Sequence, residues 1–352
     1  MRTLAAAVQR TPPMLGPRAV RLALSLGLTL LLTGMVFQLA GANPFEAFEA
    51  LIRGSLGNPL GIEQTIELMT LLTLAGLAVA IPARASLWNI GGEGQIFAGA
   101  LAAVAVALKV GGIPPALVAV MALVAGIAAG AALGAVAGAL RAGPGANEVL
   151  TTLMLNFVAI LATYYAIGHL FAAAGIRGST PVISRDAMLP DVPGQTFTSG
   201  IALALLAALG AWVLLTRTRL GLKIRATGFS PDAARHNGVR VGGVQVTVMA
   251  LGGALAGLAG AVVVIGIEGL LARDFSPGYG FIGIAVALLA RAHPLWIVPA
   301  AGLFSVVTVG GSYLEAVVGL SASVALVIEG VLLLLLLAFW VFPPERGVSG
   351  GR

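Results

Sequence analysis

Polar side chains set at helical spacing inside strongly apolar sequence are the residues with chemistry to offer in this chain. Glu148, Thr152 and Asn156 recur at i, i+4 and i+8, so they share one helix face, and Thr163 continues the stripe to within a residue. Upstream, the run RASLWNIGGEGQ (84–95) joins two apolar stretches. Gly91, Gly92 and Gly94 interrupt helical continuity there, and Asn89, Glu93 and Gln95 place three hydrogen-bonding side chains beside the break. Glu329 is an acid deep in the last apolar stretch. The chain has no cysteine, and His169, His236 and His293 are scattered without ligand spacing. No nucleophile–base pair or metal cluster emerges, so bond-making chemistry has no carrier. What these residues offer is charge and hydrogen bonding at membrane depth, where polar groups are expensive and default to a pathway or an ion site.

Each of these residues also has a structural reading. Glu93 and Gln95 open a helix, where an acid is favourable to the dipole, so the break is a capped re-entrant bend or a gate. Asn147 is a good N-cap and Glu148 a good first-turn acid. Thr152 and Asn156 serve either as hydrogen bonds between helices or as the wall of a substrate path. At this point both readings stand for Asn89, Glu93, Gln95, Asn147, Glu148, Thr152, Asn156 and Glu329.

The elements that carry them are membrane helices. Of 352 residues, 59% are hydrophobic and 10% charged, against roughly 25% charged in a soluble domain; mean hydropathy is +1.01. The 48 glycines and many alanines predict tightly packed helices. Ten apolar segments are long enough, or nearly so, to span a bilayer: 20–42, 64–82, 93–109, 114–140, 148–171, 198–216, 243–267, 279–290, 294–313 and 322–342. The eighth is short and follows the Gly-rich run 276–280, which predicts a broken or half-length segment. The expected fold is an all-α integral membrane protein of about ten helices. A cytoplasmic segment (1–19) leads into a single membrane domain (20–342), followed by a cytoplasmic tail (343–352). With both termini inside, fifteen of the twenty Lys/Arg fall on inside loops and most acids fall outside. The first apolar run and Ala40-Gly41-Ala42 resemble a signal peptide, but the run is long for one, which favours an uncleaved first span.

The most basic loop, 217–240, carries six Lys/Arg against one acid, Asp232. The +6 formal charge therefore reads as topology and headgroup contact, not as a nucleic-acid surface. Arg84 and Arg291 lie near span ends and take topology roles first. Within the basic loop, Ser230 is a natural N-cap, Pro231 suits the first helical position, Asp232 complements the dipole and Gly238 is the expected stop. A helix of about seven residues is not stable alone, so it needs a docking surface; Ala233 and Ala234 permit close packing against one. No Walker-type phosphate loop occurs in the sequence.

Four segments resemble a known family: LWNIGGEGQIFAGA (87–100), GANEVLTTLMLNFVA (145–159), RATGFSPDAARHNGV (225–239) and GFIGIAVALLARAHP (280–294). They are similar to permease subunits of bacterial ABC importers in the branched-chain amino acid, ribose and nucleoside group. The Asn-Glu-Val…Met-Leu-Asn element is most like the simple-sugar and nucleoside branch. The resemblance covers residues 64–342 and departs from the branch at Arg291 and His293. It implies a pathway subunit in the inner (plasma) membrane that binds no cofactor itself. ATP and Mg would be used by a separate cytoplasmic ATPase, an extracytoplasmic binding protein would deliver substrate, and a second, related permease chain would complete the pathway. It also implies that residues 225–239 are the ATPase-coupling segment, with Gly228, Ser230, Asp232, Ala233, Ala234 and Gly238 at the contact, and it points to Asn89, Glu93, Asn147 and Asn156 along the substrate path. A branched-chain amino acid permease, or an ion-coupled transporter using Glu93 or Glu329, is the alternative.

Overall fold

The computed structural model describes residues 17–171 and 178–319, with 327, 330 and 331 beyond them. The expected tenth span, Glu329 and the C-terminal tail fall outside the described residues or, for the span, almost entirely so. The described chain is all-helical: α1 (Pro17–Leu39), α2 (Pro44–Leu56), α3 (Pro59–Ala83), α4 (Gly92–Lys109), α5 (Pro115–Ala142), α6 (Glu148–His169), α7 (Gly200–Arg217), α8 (Arg219–Phe229), α9 (Pro231–His236), α10 (Val241–Val262), α11 (Tyr279–Leu289) and α12 (Pro294–Val318). Six of these begin on proline, whose missing N–H costs nothing at the first helical position.

Among the described residues, seven helices are long and apolar enough to cross a membrane: α3 to α7, α10 with its continuation to Glu268, and α12. They coincide with seven of the expected spans. The first expected span is α1. The eighth is α11, whose 11 residues rise only about 16 Å, half of a hydrocarbon core of about 30 Å. Two helices were not expected. α2 carries Glu46, Glu49 and Arg53 among its apolar residues, and α8 lies in the basic loop, where its charges mask an amphipathic pattern.

The chain divides into two compact units, one from Ser55 to Val309 and one formed by the residues up to Gly54 with those from Gly310 on. In the latter, α1 and α2 meet through an edge-to-face pair of Phe37 and Phe48, with ring centroids 5.3 Å apart.

In the larger unit α10 is central and packs on α3, α4 and α5. In the most apolar stretch of α10 78% of the residues are buried and in that of α3 72%, against 28% in α5 and α7, so the latter pair lie toward the outside of this unit. The α5–α10 contact is built on glycine. α5 carries Gly126, Gly130, Gly134 and Gly138 at i+4 intervals. A Cβ placed on Gly130 would overlap the Gly253 carbonyl, and one on Gly253 would overlap the Gly130 carbonyl. Gly126 meets Gly257 and Gly134 meets Met249 in the same way, and Gly99 brings α4 onto Gly257. Close backbone approach of this kind is how helices associate where lipid removes the hydrophobic drive.

α10 ends in a π-helical turn, Val263–Glu268, closed by Gly269 in the left-handed region (φ 67°). The loop preceding α7 lies against this end. Leu189 N–H donates to the Ile265 carbonyl (2.6 Å), Ile183 N–H to Gly269 (2.7 Å) and Thr180 N–H to Leu271 (3.0 Å).

Candidate functional site

The break between α3 and α4 is held open by side chains that stand in for backbone. Asn89 donates to the Ala78 carbonyl (3.2 Å) and to Gln95 Oε1 (2.9 Å), and its Oδ1 accepts from Gln95 Nε2 (3.1 Å) and Gly91 N–H (3.2 Å). From α6, Thr152 Oγ1 accepts from Ile90 N–H (3.3 Å). Asn156 donates to the Ile90 carbonyl (2.9 Å) and accepts from Gly94 N–H (2.8 Å), one of the amides that α4 itself leaves unpaired at its start. A Cβ on Gly94 would fall 2.6 Å from Asn156 Cα, so the helix crossing requires glycine there. Asn89, Glu93, Gln95, Thr152 and Asn156 are each at most 2% exposed. Burial without partners would be costly, and each of these side chains is partnered.

Glu93 works in two directions. It lies in the first turn of α4, and its carboxylate also caps α11, where the Gly280 N–H donates to Oε2 (2.7 Å) and the Ser276 hydroxyl to Oε1. α11 has no side-chain cap from its own N-cap residue, Gly278. One carboxylate therefore faces the positive ends of two interrupted helices. Gly280 approaches the Glu93 backbone so closely that a Cβ would overlap its amide. The Gly-rich run 276–280 stands out in the sequence, but the roles of Ser276 and Gly280 do not. Their partner lies more than 180 positions away, and a single sequence carries no signal of that pairing.

Asn147 and Glu148 sit apart from this cluster. Asn147 is exposed and caps α6, accepting from Val149 N–H (2.9 Å) and Leu150 N–H (3.4 Å). Glu148 lies 3.4 Å from Arg141 Nε.

The basic loop folds as two helices that share Ser230. Its N–H closes α8 on the Ala226 carbonyl (3.1 Å), and its Oγ caps α9 by accepting from Ala233 N–H (3.2 Å). Gly238 follows α9 with φ 77°. Asp232 pairs with Arg235 at 2.9 Å, both exposed. The two alanines divide: Ala234 is buried within the chain, whereas Ala233 is exposed. Only Ala233 is therefore open to a partner, because Ala234 is spent on seating α9. Phe229, the last residue of α8, is 94% exposed.

Gly228, near the end of α8, rests on the residues that follow α3, and a Cβ there would overlap the Arg84 carbonyl. The Ser86 hydroxyl donates to the Gly228 carbonyl (2.7 Å). The Arg84 guanidinium donates to the Ala292 carbonyl (2.9 Å) and reaches the Arg291 carbonyl (3.5 Å) in the α11–α12 turn. Burial, and after it the positive charge of Arg225, lowers the Arg84 pKa from its ordinary value.

Residues 61–337 match the family described as the branched-chain amino acid transport system / permease component. Among similar curated proteins, the glucose ABC transporter permease protein TsgB13 of Haloferax volcanii is 33% identical over 91% of this chain and 87% of its own length. The nucleoside ABC transporter permease protein NupB of Lactococcus lactis is 33% identical over 79% of this chain and 80% of its own. The putative glucose ABC transporter permease protein TsgC13, a different Haloferax volcanii chain, is 30% identical over 69% of this chain and 74% of its own. The break, the half-length helix and the capped basic loop thus occur in a chain that belongs to the branched-chain amino acid transport system permease family, as a multi-pass permease subunit of an ABC importer.

Proposed function

We propose that this permease carries nucleosides or simple sugars inward, driven by a cytoplasmic ATPase that docks on α9 and Phe229. The observation that carries the docking assignment is an exposed, capped helix beside an almost fully exposed phenylalanine in the most basic loop of the chain. The basic loop and both termini lie in the cytoplasm in this reading, supported by the Lys/Arg asymmetry of the loops. ATP and Mg are used by the ATPase and not by this chain. A binding protein presents substrate at the opposite face, and a second, non-identical permease completes the pathway, as two matching Haloferax volcanii chains suggest. The substrate class rests on the glucose and nucleoside names of the relatives.

Within the pathway, Asn89, Gln95, Thr152 and Asn156 hold the shape of the break, and Glu93 fixes where α11 begins. Asn147 and Glu148 set the start of α6. Ser230, Asp232, Ala233 and Gly238 present the coupling surface, with Ala234 as its seat; Gly228, expected at the contact, instead packs inward on the residues after α3.

The test is ATP-driven uptake by the complete transporter in proteoliposomes, with labelled nucleosides and glucose. Asp232→Lys and Ala233→Arg should abolish uptake together with binding-protein-stimulated ATP hydrolysis. Intact uptake in both variants would remove the docking assignment. Transport of neither substrate class by the unaltered complex would remove the substrate assignment.

A further inference from the structure

Among the described residues, only three non-glycine residues adopt a left-handed backbone: Ser86 (φ 58°), Arg291 (φ 57°) and Ala292 (φ 49°). All three lie around Arg84: Ser86 two residues on in sequence, and Arg291 and Ala292 across the contact. Ser86 binds the Gly228 carbonyl of α8, and Arg291 and Ala292 supply the carbonyls that Arg84 grips. Backbone held in such a sparsely populated region persists where surrounding contacts over-determine it, and it concentrates at switch regions.

The contacts also close a mechanical loop. The segment 84–93 holds α11 at both ends, with Arg84 on the turn after its last residue and Glu93 on the Gly280 N–H in its first turn. The same segment is pinned to α8 by Ser86 and by the glycine-only contact at Gly228. The Gly228 carbonyl is one of the last four in α8, left free by the helix itself and paired by the Ser86 hydroxyl. α8 in turn shares Ser230 with α9. Gly283, midway along α11, lies so close to Ala75 of α3 that a Cβ would come within 2.8 Å of it. α11 is therefore a short strut wedged between α3 and the two ends of the break.

We infer that Arg84 is a positioning residue that couples the basic loop to α11, so that a displacement of α8 and α9 is delivered through Ser86 and Arg84 to the far end of α11 at Glu93. The inference rests on α9 being the ATPase dock. It gives Arg84 and the Arg291–Ala292 turn a function that snorkelling to headgroups does not require.

The experiment measures substrate moved per ATP hydrolysed, in proteoliposomes holding the complete transporter with its binding protein. Arg84→Gln shortens the side chain and removes the two-carbonyl grip. It should keep the complex assembled and ATP hydrolysis near the unaltered rate, while uptake per ATP falls by about two- to thirtyfold, the range of a coupling-path substitution. Arg84→Lys, which retains the charge and a single point donor, should recover part of that loss. Ser86→Gly accepts the left-handed backbone without strain and removes the hydroxymethyl group that bonds Gly228, so it should uncouple in the same direction with the fold intact. It decides the matter if Arg84→Gln fails to assemble. An unchanged ratio in the assembled Arg84→Gln complex, or uptake and hydrolysis falling in proportion, overturns the inference; so does an unchanged ratio in Ser86→Gly where Arg84→Gln does not assemble. Asp232→Lys, run in parallel, separates the two claims: loss of stimulated hydrolysis there with an unchanged ratio in Arg84→Gln leaves the dock standing and removes only the strut.

Discussion

The α5–α10 seam and the 84–95 break are both places of very close approach, and they are built from opposite materials. In the seam, backbone meets backbone and side chains are absent: Gly130 against Gly253, Gly126 against Gly257. In the break, backbone is missing its helical partners and side chains replace them: Asn156 for Gly94 and Ile90, Asn89 for Gly91. The seam fails when atoms are added, and the break fails when they are removed. A bundle that must change shape needs both kinds of contact, one to keep a face rigid and one to keep an interruption defined.

The largest expected effect breaks the seam. Gly130→Leu has nowhere to place its side chain, and overpacking of well-packed interiors costs about 1–3 kcal/mol or more. Against backbone on the facing helix the cost should exceed that range, and folded protein should not be recoverable by size exclusion in detergent.

Next comes the break. Asn156→Leu strands the Ile90 carbonyl and the Gly94 N–H, at about 1–3 kcal/mol for each buried group. Thermal unfolding in detergent should show a clear drop, and uptake should be lost. A variant as stable as the parent would mean that water satisfies the break.

Glu93→Gln sharpens the same side of the comparison with a smaller change. The amide keeps one acceptor but turns an NH2 toward a donor from α11 and loses the charge facing two helix starts. The expected cost is about 1–2 kcal/mol. If ATP-driven uptake vanished while stability and hydrolysis stayed at parental values, Glu93 would touch the substrate rather than brace the path.

The smallest effect is a control for the seam. Gly210, inside α7, has nothing within 4 Å of a Cβ placed there. Gly210→Ala should be neutral or raise stability by about 0.5–1 kcal/mol through helix propensity alone. Loss of stability would show that glycine matters in this chain for a reason other than contact.

The same division explains what was legible in the sequence. Spans are local features, so hydropathy alone located α3 to α7, α10 and α12, and the shortness of 279–290 already marked α11 as half-length. The caps at Asn147 and Ser230 are likewise local, because each side chain bonds to an amide two or three residues on. The abundance of small residues foretold tight packing but not which helix would receive the glycines of α5. α8 was hidden because its Arg and Lys made a helix look like a loop, and α2 because its charges broke an apolar run. The pairing of Glu93 with Ser276 and Gly280, and of Arg84 with Ala292, joins residues about 180 to 210 positions apart. Those contacts depend on where α10 and α3 place the ends of α11, which no local pattern encodes. For Asn156 the stripe on α6 pointed to the correct face, and the structure supplied the partner.

The π-helical turn at the end of α10 has a consequence for how such a chain can vary in length. A π-turn is an α-helix holding one residue more than its pitch accommodates, and here the Ile265 carbonyl within it is taken by Leu189 of the loop before α7. Deleting a single residue between Val263 and Glu268 would restore regular pitch and rotate that carbonyl away from the loop. The surplus residue and the loop geometry are therefore coupled through that carbonyl: a change of length in one calls for a compensating change in the other.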